Sequence, residues 1–226
     1  VLGNGVVIDP QSIIEEMTNL ETSGISFTGR FFIDPRAAIV LPIHKMLDGI
    51  YEDSNTQMKI GSTRRGIGPC YSDSTARAGI RLIDLFELKQ LKARVINVYN
   101  YHNQPITSEE ADSIVKSLSE FLEKIRPFVK QTCYLINEMH EKQQNILFEG
   151  AQGALLDINF GTYPYVTSSN TTTGGIFTGS GFGYKKLDKV IGVYKSYFTR
   201  VGDGAFPNLL LAQNLSRSLE TGLISF

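Results

Sequence analysis

The fold is decided by a stretch in the second half of the chain, where residues 146–172 read ILFEGAQGALLDINFGTYPYVTSSNTT. The apolar run at 146–148 is typical of a short buried parallel strand, and the loop EGAQG behind it is typical of a turn that faces a ligand. Ligands of open α/β sheets lie at the carboxyl ends of the strands. Glycine and hydroxyl residues crowd the sequence from 161 to 183. This stretch therefore predicts an α/β domain with a ligand-facing loop.

Segments outside this stretch predict helices. Asp9 and Pro10 mark a helix N-terminus, because Asp accepts a bond from an unpaired backbone N–H and Pro lacks only a donor that would go unused. Apolar residues at helical spacing follow until Gly24. Residues 108–126 predict a long amphipathic helix that a proline ends, and residues 44–54 predict another helical stretch.

Further patterns complete the predicted domain. Residues 1–8 predict a strand, and residues 31–40 predict a second that Pro35 interrupts. Residues 190–201 predict a third through their β-branched and aromatic side chains. Residues 77–88 show a mixed helical pattern. No internal repeat, low-complexity linker or change of composition marks a second domain, so we expect one incomplete α/β domain.

The composition limits the classes of protein to which the chain can belong. Its 226 residues are 42% hydrophobic and 20% charged, which allows a sizeable core. The formal net charge of -1 predicts no binding to nucleic acid or to an anionic membrane. Two cysteines without zinc or CxxC spacing favour a reducing compartment, and no apolar run approaches the roughly 20 residues of a membrane-spanning helix. We therefore expect a cytoplasmic protein.

A second chemical feature is the loop at 61–69, which reads GSTRRGIGP. Backbone N–H groups, hydroxyls and two guanidinium groups lie close together there, and such donors suit a phosphate. A solvated glycine-rich turn with its arginines in water is an equally good interpretation of the loop alone. The spacing does not match a Walker A loop, so we do not expect GTP phosphates to bind here by that mechanism.

Other patterns predict no site. Residues 179–183 read GSGFG, which lacks the spacing of a dinucleotide-binding loop. His44, His102 and His140 are far apart in sequence without carboxylates at metal-ligand spacing, so we expect surface histidines or histidines satisfied in the core. Glu149 and Asp157, which flank the AQG loop, are expected to accept bonds from nearby backbone N–H groups. No metal site is predicted in this chain.

Three stretches together resemble adenylosuccinate synthetases, in matching order, and a fourth fits just upstream. They are GSTRRGIGPCYSDSTAR at 61–77, FEGAQGALLDINFGTYPYVTSSNTT at 148–172, YFTRVGDGAFP at 197–207 and GNGVV at 3–7. The resemblance covers residues 1–207 and implies the central part of one α/β domain, with a mainly parallel central sheet flanked by helices and a fold like that of P-loop NTPases. The tail at 208–226 diverges, as a frameshift or a truncated gene would produce.

The resemblance also implies a function. Members of this family work as cytoplasmic homodimers that use Mg²⁺ and GTP to phosphorylate the 6-oxygen of IMP. The amino group of L-aspartate then displaces phosphate, and adenylosuccinate forms. A ring carbonyl oxygen is a poor leaving group until it becomes a phosphate whose charge is stabilised, so the implied route is chemically sound.

Four residues match contacts that the family makes with IMP. Thr63 and Thr167 match hydroxyls at the 5′-phosphate, and Gln152 matches a glutamine whose amide contacts IMP. Arg77 matches the arginine that reaches the IMP site of the partner subunit, where a guanidinium can pair with phosphate oxygens in a bidentate manner. The implied IMP site is therefore shared across a homodimer.

The chain departs from the family pattern at two positions and lacks several of the family's elements. Ser74 stands where the family has lysine, and Arg64 stands where it has glycine. Either Arg64 or Arg65 is expected to supply the positive charge lost at position 74, or the side chain at position 64 is expected to force the loop out of a left-handed conformation. The family's GDEGKGK loop, its catalytic histidine and its elements for aspartate and guanine are absent. This chain, which begins with Val1 rather than Met, is therefore expected to lack the natural N-terminus, the catalytic residues and the Mg²⁺ ligands.

Three hypotheses stay open. The chain is a central segment of an active synthetase, a noncatalytic remnant that still binds IMP or dimerises, or an interaction module with no nucleotide site. The grouping of Thr63, Arg77, Gln152 and Thr167 argues against the last of these.

Overall fold

The computed structural model describes residues 1–54, 59–183, 187–193, 199 and 203–204. In that part of the chain the backbone forms seven α-helices and one two-stranded parallel sheet. The elements are β1 (Val7–Ile8), α1 (Pro10–Thr22), β2 (Ala38–Ile39), α2 (Pro42–Ser54), α3 (Ile67–Ala76), α4 (Leu88–Tyr101), α5 (Ser108–Ile125), α6 (Thr132–Glu141) and α7 (Gly174–Ser180). Short 3₁₀ helices lie at Leu82–Phe86, Arg126–Phe128 and Ala154–Leu156.

The sheet is parallel, as the sequence predicts. In the register of β1 and β2, Val7 lies opposite Ala38. Single parallel bridges, Leu2 to Ile33 and Ile33 to Val129, continue this pairing beyond the two strands. Helix α3 packs against both strands. The predicted α/β class, with a parallel sheet flanked by helices, is confirmed.

The strand predicted at residues 1–8 is shorter than expected because another backbone approaches it. The N–H of Gly5 donates to the carbonyl oxygen of Gly179 at 2.7 Å. A Cβ atom at Gly5 would lie 2.4 Å from the Cα of Gly179. Glycine is therefore required where this segment crosses α7, and the bond to α7 takes the place of a strand partner.

The helix termini predicted from local signals are confirmed. Helix α1 starts at Pro10, and the carboxylate of Asp9 accepts the N–H of Gln11 at 3.3 Å. It ends just before Gly24, which has a φ of +83°. Helix α5 starts at Ser108 behind a capping box, in which the side chains of Thr107 and Glu110 bond to each other's backbone N–H.

The core lies between the sheet and helices α1, α2, α4 and α5. Its fully buried side chains include Ile39, Leu41, Ile43, Leu82, Leu85, Leu91, Val95, Leu122 and Ile125. Each such side chain contributes about 1.5–3 kcal/mol relative to an exposed one. Helix α4 packs on α5, and α2 packs on α3. Helix α3 and the loop before it are thereby fixed against the core.

Three predicted elements were wrong. Residues 146–148 form no strand, and the side chain of Leu147 is 83% exposed, because no neighbouring strand in the described residues pairs with this run. The helical pattern at 77–88 is broken by Arg77, whose φ of +64° ends α3, and only a 3₁₀ helix follows. Residues 190–193 form no strand, and Val193 is 91% exposed. Most of the rest of that predicted strand lies outside the described residues.

The helix predicted at 44–54 begins earlier, at Pro42.

Candidate functional site

The arginine-bearing loop is held at both ends by carboxylates of α2. Asp48 accepts the hydroxyl of Ser62 at 2.6 Å and the N–H of Gly66 at 2.8 Å. Glu52 accepts the N–H of Gly61 at 2.9 Å. Charge-assisted bonds of this kind are stronger than bonds between neutral groups. The two carboxylates therefore anchor the loop to α2.

Between these anchors the side chains of Thr63, Arg64 and Arg65 are exposed. The backbone of Arg64 keeps a φ of +55°, so a side chain at this position does not force the loop out of the left-handed conformation. Two guanidinium N–H groups of Arg64 donate to the carboxylate of Asp53, one of them at 3.2 Å, and its backbone N–H donates to Ser62. The charge of Arg64 is thus directed to Asp53, whereas the hydroxyl of Ser74 donates to a backbone carbonyl within α3.

Gly66 allows α3 to start directly against α2. Its φ is +76°, and a Cβ atom there would lie 2.8 Å from the carbonyl carbon of His44 and the backbone nitrogen of Lys45. From this start α3 passes the first segment of the chain, where the hydroxyl of Tyr71 donates to the carbonyl oxygen of Gly5 at 2.7 Å. The helix ends at Arg77, whose side chain is exposed.

Asp157 orders the glycine- and hydroxyl-rich loop, as the sequence predicts. It is fully buried, and its carboxylate accepts four backbone N–H groups, those of Asn159, Phe160, Thr171 and Thr172, at 2.8, 3.1, 2.6 and 3.1 Å. Burial alone would raise the pKa of Asp157, but these four bonds lower it to about 2. One charged side chain thereby ties together both ends of residues 157–172.

Thr167 and Gln152 occupy this loop region in different ways. The backbone N–H of Thr167 donates to the carbonyl oxygen of Leu156 at 2.8 Å, and its side chain is half-buried. Gln152 is exposed and has a φ of +58°, so the turn holds it in the left-handed conformation. Next to it, the hydroxyl of Thr171 donates to the carbonyl oxygen of Gly153 at 2.8 Å.

An open cleft of about 480 Å³ separates α3 from this loop. Its lining residues are Tyr71, Ser72, Thr75, Ala76, Ile158 and Ser168. Arg77 and Thr167 are neighbours in sequence of two lining residues, Ala76 and Ser168, and do not line the cleft themselves. Thr63 and Gln152 are not among the residues that line it. Hydroxyl groups on both walls suit a polar ligand.

A buried cluster of three side chains was missed by the sequence. The N–H of Leu41 donates to Nδ1 of His44 at 2.9 Å, so the ring proton is on Nε2, which donates to Asp73 at 3.0 Å. His102 donates from Nε2 to the other carboxylate oxygen at 2.8 Å. Burial alone would raise the pKa of Asp73, but these bonds hold it below its ordinary value. The expectation that His44 is satisfied in the core is confirmed, whereas no spacing signal joins residues so far apart.

The described part of the chain contains no cluster of metal ligands and no membrane-spanning helix. No group of three or more His, Cys, Asp or Glu side chains in that part of the chain could hold a metal ion. The described residues thus offer no cluster of ligands that would hold Mg²⁺. None of the described helices is long and apolar enough to cross a membrane.

The structure is an α/β domain with an open cleft between α3 and the glycine- and hydroxyl-rich loop, and clefts of this kind are where proteins bind small ligands. The sequence profile of the adenylosuccinate synthetase family matches residues 1–222. The chain therefore belongs to the adenylosuccinate synthetase family, and the resemblance in its sequence is confirmed. The match extends beyond residue 207. The assignment of 208–226 as a divergent tail stays a prediction.

Individual relatives agree with this assignment. An adenylosuccinate synthetase of Pelodictyon phaeoclathratiforme is 44% identical over 223 residues, which cover 96% of this chain and 51% of the relative. One of Chlorobium chlorochromatii is 46% identical over 218 residues, with 93% and 50% covered. The structure of the fully ligated enzyme from Plasmodium falciparum matches with a TM-score of 0.82 and 37% identity, over 96% of this chain and 52% of that one. The chain thus spans about half the length of the curated relatives it matches.

Proposed function

We propose that this chain supplies the IMP-binding surface of an adenylosuccinate synthetase. In the proposed reaction GTP phosphorylates the 6-oxygen of IMP and leaves as GDP. The amine of L-aspartate then attacks the ring carbon, phosphate leaves, and adenylosuccinate forms. The observation that carries the proposal is the family match over residues 1–222. The position of Ser168, next to Thr167 in sequence, in the wall of the cleft between α3 and the glycine- and hydroxyl-rich loop supports it.

The proposed work of this chain is to hold and orient IMP. Hydrogen-bond donors that folding already holds in place bind a phosphate dianion well, because binding then costs no further conformational entropy. The hydroxyl of Thr63 is carried by a loop that Asp48 fixes at both sides. The hydroxyl of Thr167 is carried by a loop that Asp157 fixes. Gln152, on an exposed left-handed turn, is assigned to the purine.

Arg77 is proposed to act in the partner subunit of a cytoplasmic homodimer. Its side chain is exposed and projects from the end of α3. A guanidinium carried on the end of a packed helix can reach across an interface and pair with two phosphate oxygens. Mg²⁺ and GTP belong to the proposed reaction of the whole protein, but no described residue is assigned to either.

Calorimetric titration with IMP and with inosine tests the proposed site. We expect IMP to bind and inosine, which lacks the phosphate, to bind at least about tenfold more weakly, because charged bonds to phosphate are lost. Thr167→Val removes one hydroxyl at nearly constant volume and should weaken IMP binding by about tenfold. Thr18→Val, on the exposed face of α1, is the matched control and should leave it unchanged. Absence of IMP binding by the unaltered protein would refute the proposal.

A further inference from the structure

Asp73 joins three helices through its side chain. It lies in α3 and accepts bonds from His44 in α2 and from His102 just after α4. The side chains of Asp73 and His44 are 1% and 0% exposed, and that of His102 is 12% exposed. Because a buried ionised carboxylate must be fully paired, this cluster ties the second half of α3 to the core.

The backbone carbonyl of the same residue holds the turn at Arg77. It accepts the N–H of Arg77, of Ala78 at 2.9 Å and of Gly79 at 3.2 Å. The turn passes closely over Asp73, since a Cβ atom at Gly79 would lie 3.3 Å from the Cβ of Asp73. Arg77 itself has a φ of +64°, a conformation that is uncommon for arginine.

We propose that Asp73 is the positioning residue for Arg77. Its carboxylate, held by His44 and His102, fixes the last turn of α3, and its carbonyl then fixes the left-handed residue that carries the guanidinium. The direction of Arg77 is thereby set by the buried cluster and not by contacts of the arginine side chain. The effect on ligand binding rests on the proposed function, whereas the effect on the turn does not.

Asp73→Asn is the variant that tests the positioning role. Asparagine has nearly the same shape, but its amide nitrogen faces a histidine donor and only one oxygen remains to accept. We expect the backbone amides of residues 77–79 to exchange with deuterium about tenfold faster, or more, because a charged, buried bond is lost. Amides of β2 and α5 should keep their rates. The matched control is Asp112→Asn, which removes an exposed ion pair with Lys92.

The IMP affinity of single and double variants distinguishes a role in positioning Arg77 from a general loss of stability. IMP affinity should fall about tenfold in Asp73→Asn, and the double variant with Arg77→Gln should bind no more weakly than Arg77→Gln alone. Additive losses would overturn the proposal, as would unchanged exchange at 77–79. If Asp73→Asn unfolds the protein, His102→Phe replaces it in both measurements, the amide exchange at residues 77–79 and the IMP affinity with and without Arg77→Gln. This substitution keeps an aromatic ring and removes a single hydrogen-bond donor to Asp73. If the unaltered protein binds no IMP, the proposed function fails, and the exchange rates alone decide the role of Asp73.

Discussion

The carboxylate of Asp157 shows what one buried charge does for a loop. Its four backbone bonds hold its pKa at about 2, below the ordinary value of 3.8. A group whose pKa is lowered on folding stabilises the folded state above the ordinary value, and this contribution is lost as the pH falls towards the lowered value. We expect the stability difference between the unaltered protein and Asp157→Asn to be full near pH 5 and to shrink steadily down to about pH 2.

Urea unfolding of both proteins at several pH values measures that difference. Asp34, whose pKa is also lowered to about 2 by its bonds to Arg36 and Thr132, titrates in both proteins and cancels in the comparison. A difference that stays constant across this range would show that the charge of Asp157 is not what orders the loop.

Gly66 and Gly24 allow backbone strain to be separated from steric overlap. Both have a positive φ, of +76° and +83°, but a Cβ atom would overlap the α2 backbone only at Gly66. We expect Gly24→Ala to cost about 1 kcal/mol, from the left-handed conformation alone. Gly66→Ala should cost about 3 kcal/mol or more, because backbone atoms cannot move aside. Equal losses in thermal or urea unfolding would mean that α2 and α3 can separate at little cost.

At the scale of elements, Asp34 connects the sheet to a helix far along the chain. Its carboxylate accepts the backbone N–H and the hydroxyl of Thr132 at 3.0 and 2.9 Å, at the start of α6. We expect Asp34→Asn to destabilise the protein by about 2–3 kcal/mol, since bonds to a buried charge are lost. Asp112→Asn, in an exposed ion pair, should change the free energy of unfolding by less than about 1 kcal/mol. A similar small loss in both variants would show that α6 is held by packing alone.

The elements that the sequence predicted well are those with local signals. The N-caps of α1 and α5 and their apolar spacing need only a few adjacent residues, and both helices begin where expected. A strand needs a partner, and the run at 146–148 shows that apolar residues without one remain exposed. The ends of the two site loops were identifiable from glycine and hydroxyl content. The cluster of His44, Asp73 and His102 was not, because its members meet only after α2, α3 and α4 have packed.

At the scale of the whole molecule, the proposed dimer predicts a complementation experiment. Arg77 is assigned to the site of the partner subunit, and Thr167 to the site of its own subunit. A subunit with Arg77→Gln and one with Thr167→Val therefore form a mixed dimer in which one site carries both changes and the other carries neither. With random pairing in a two-fold dimer, about a quarter of all sites are then unaltered.

Co-expression of the two variants with different tags, followed by titration with IMP, measures this fraction. We expect each variant alone to show only weak sites, and the mixed population to regain tight sites at about a quarter of the normal number, because half of the random dimers are mixed and each holds one intact site. Purification through both tags should raise the fraction to about half. If Arg77 instead binds IMP within its own subunit, every site in the mixed dimer carries one change, and no tight site returns. The experiment thus distinguishes a shared site from two independent sites.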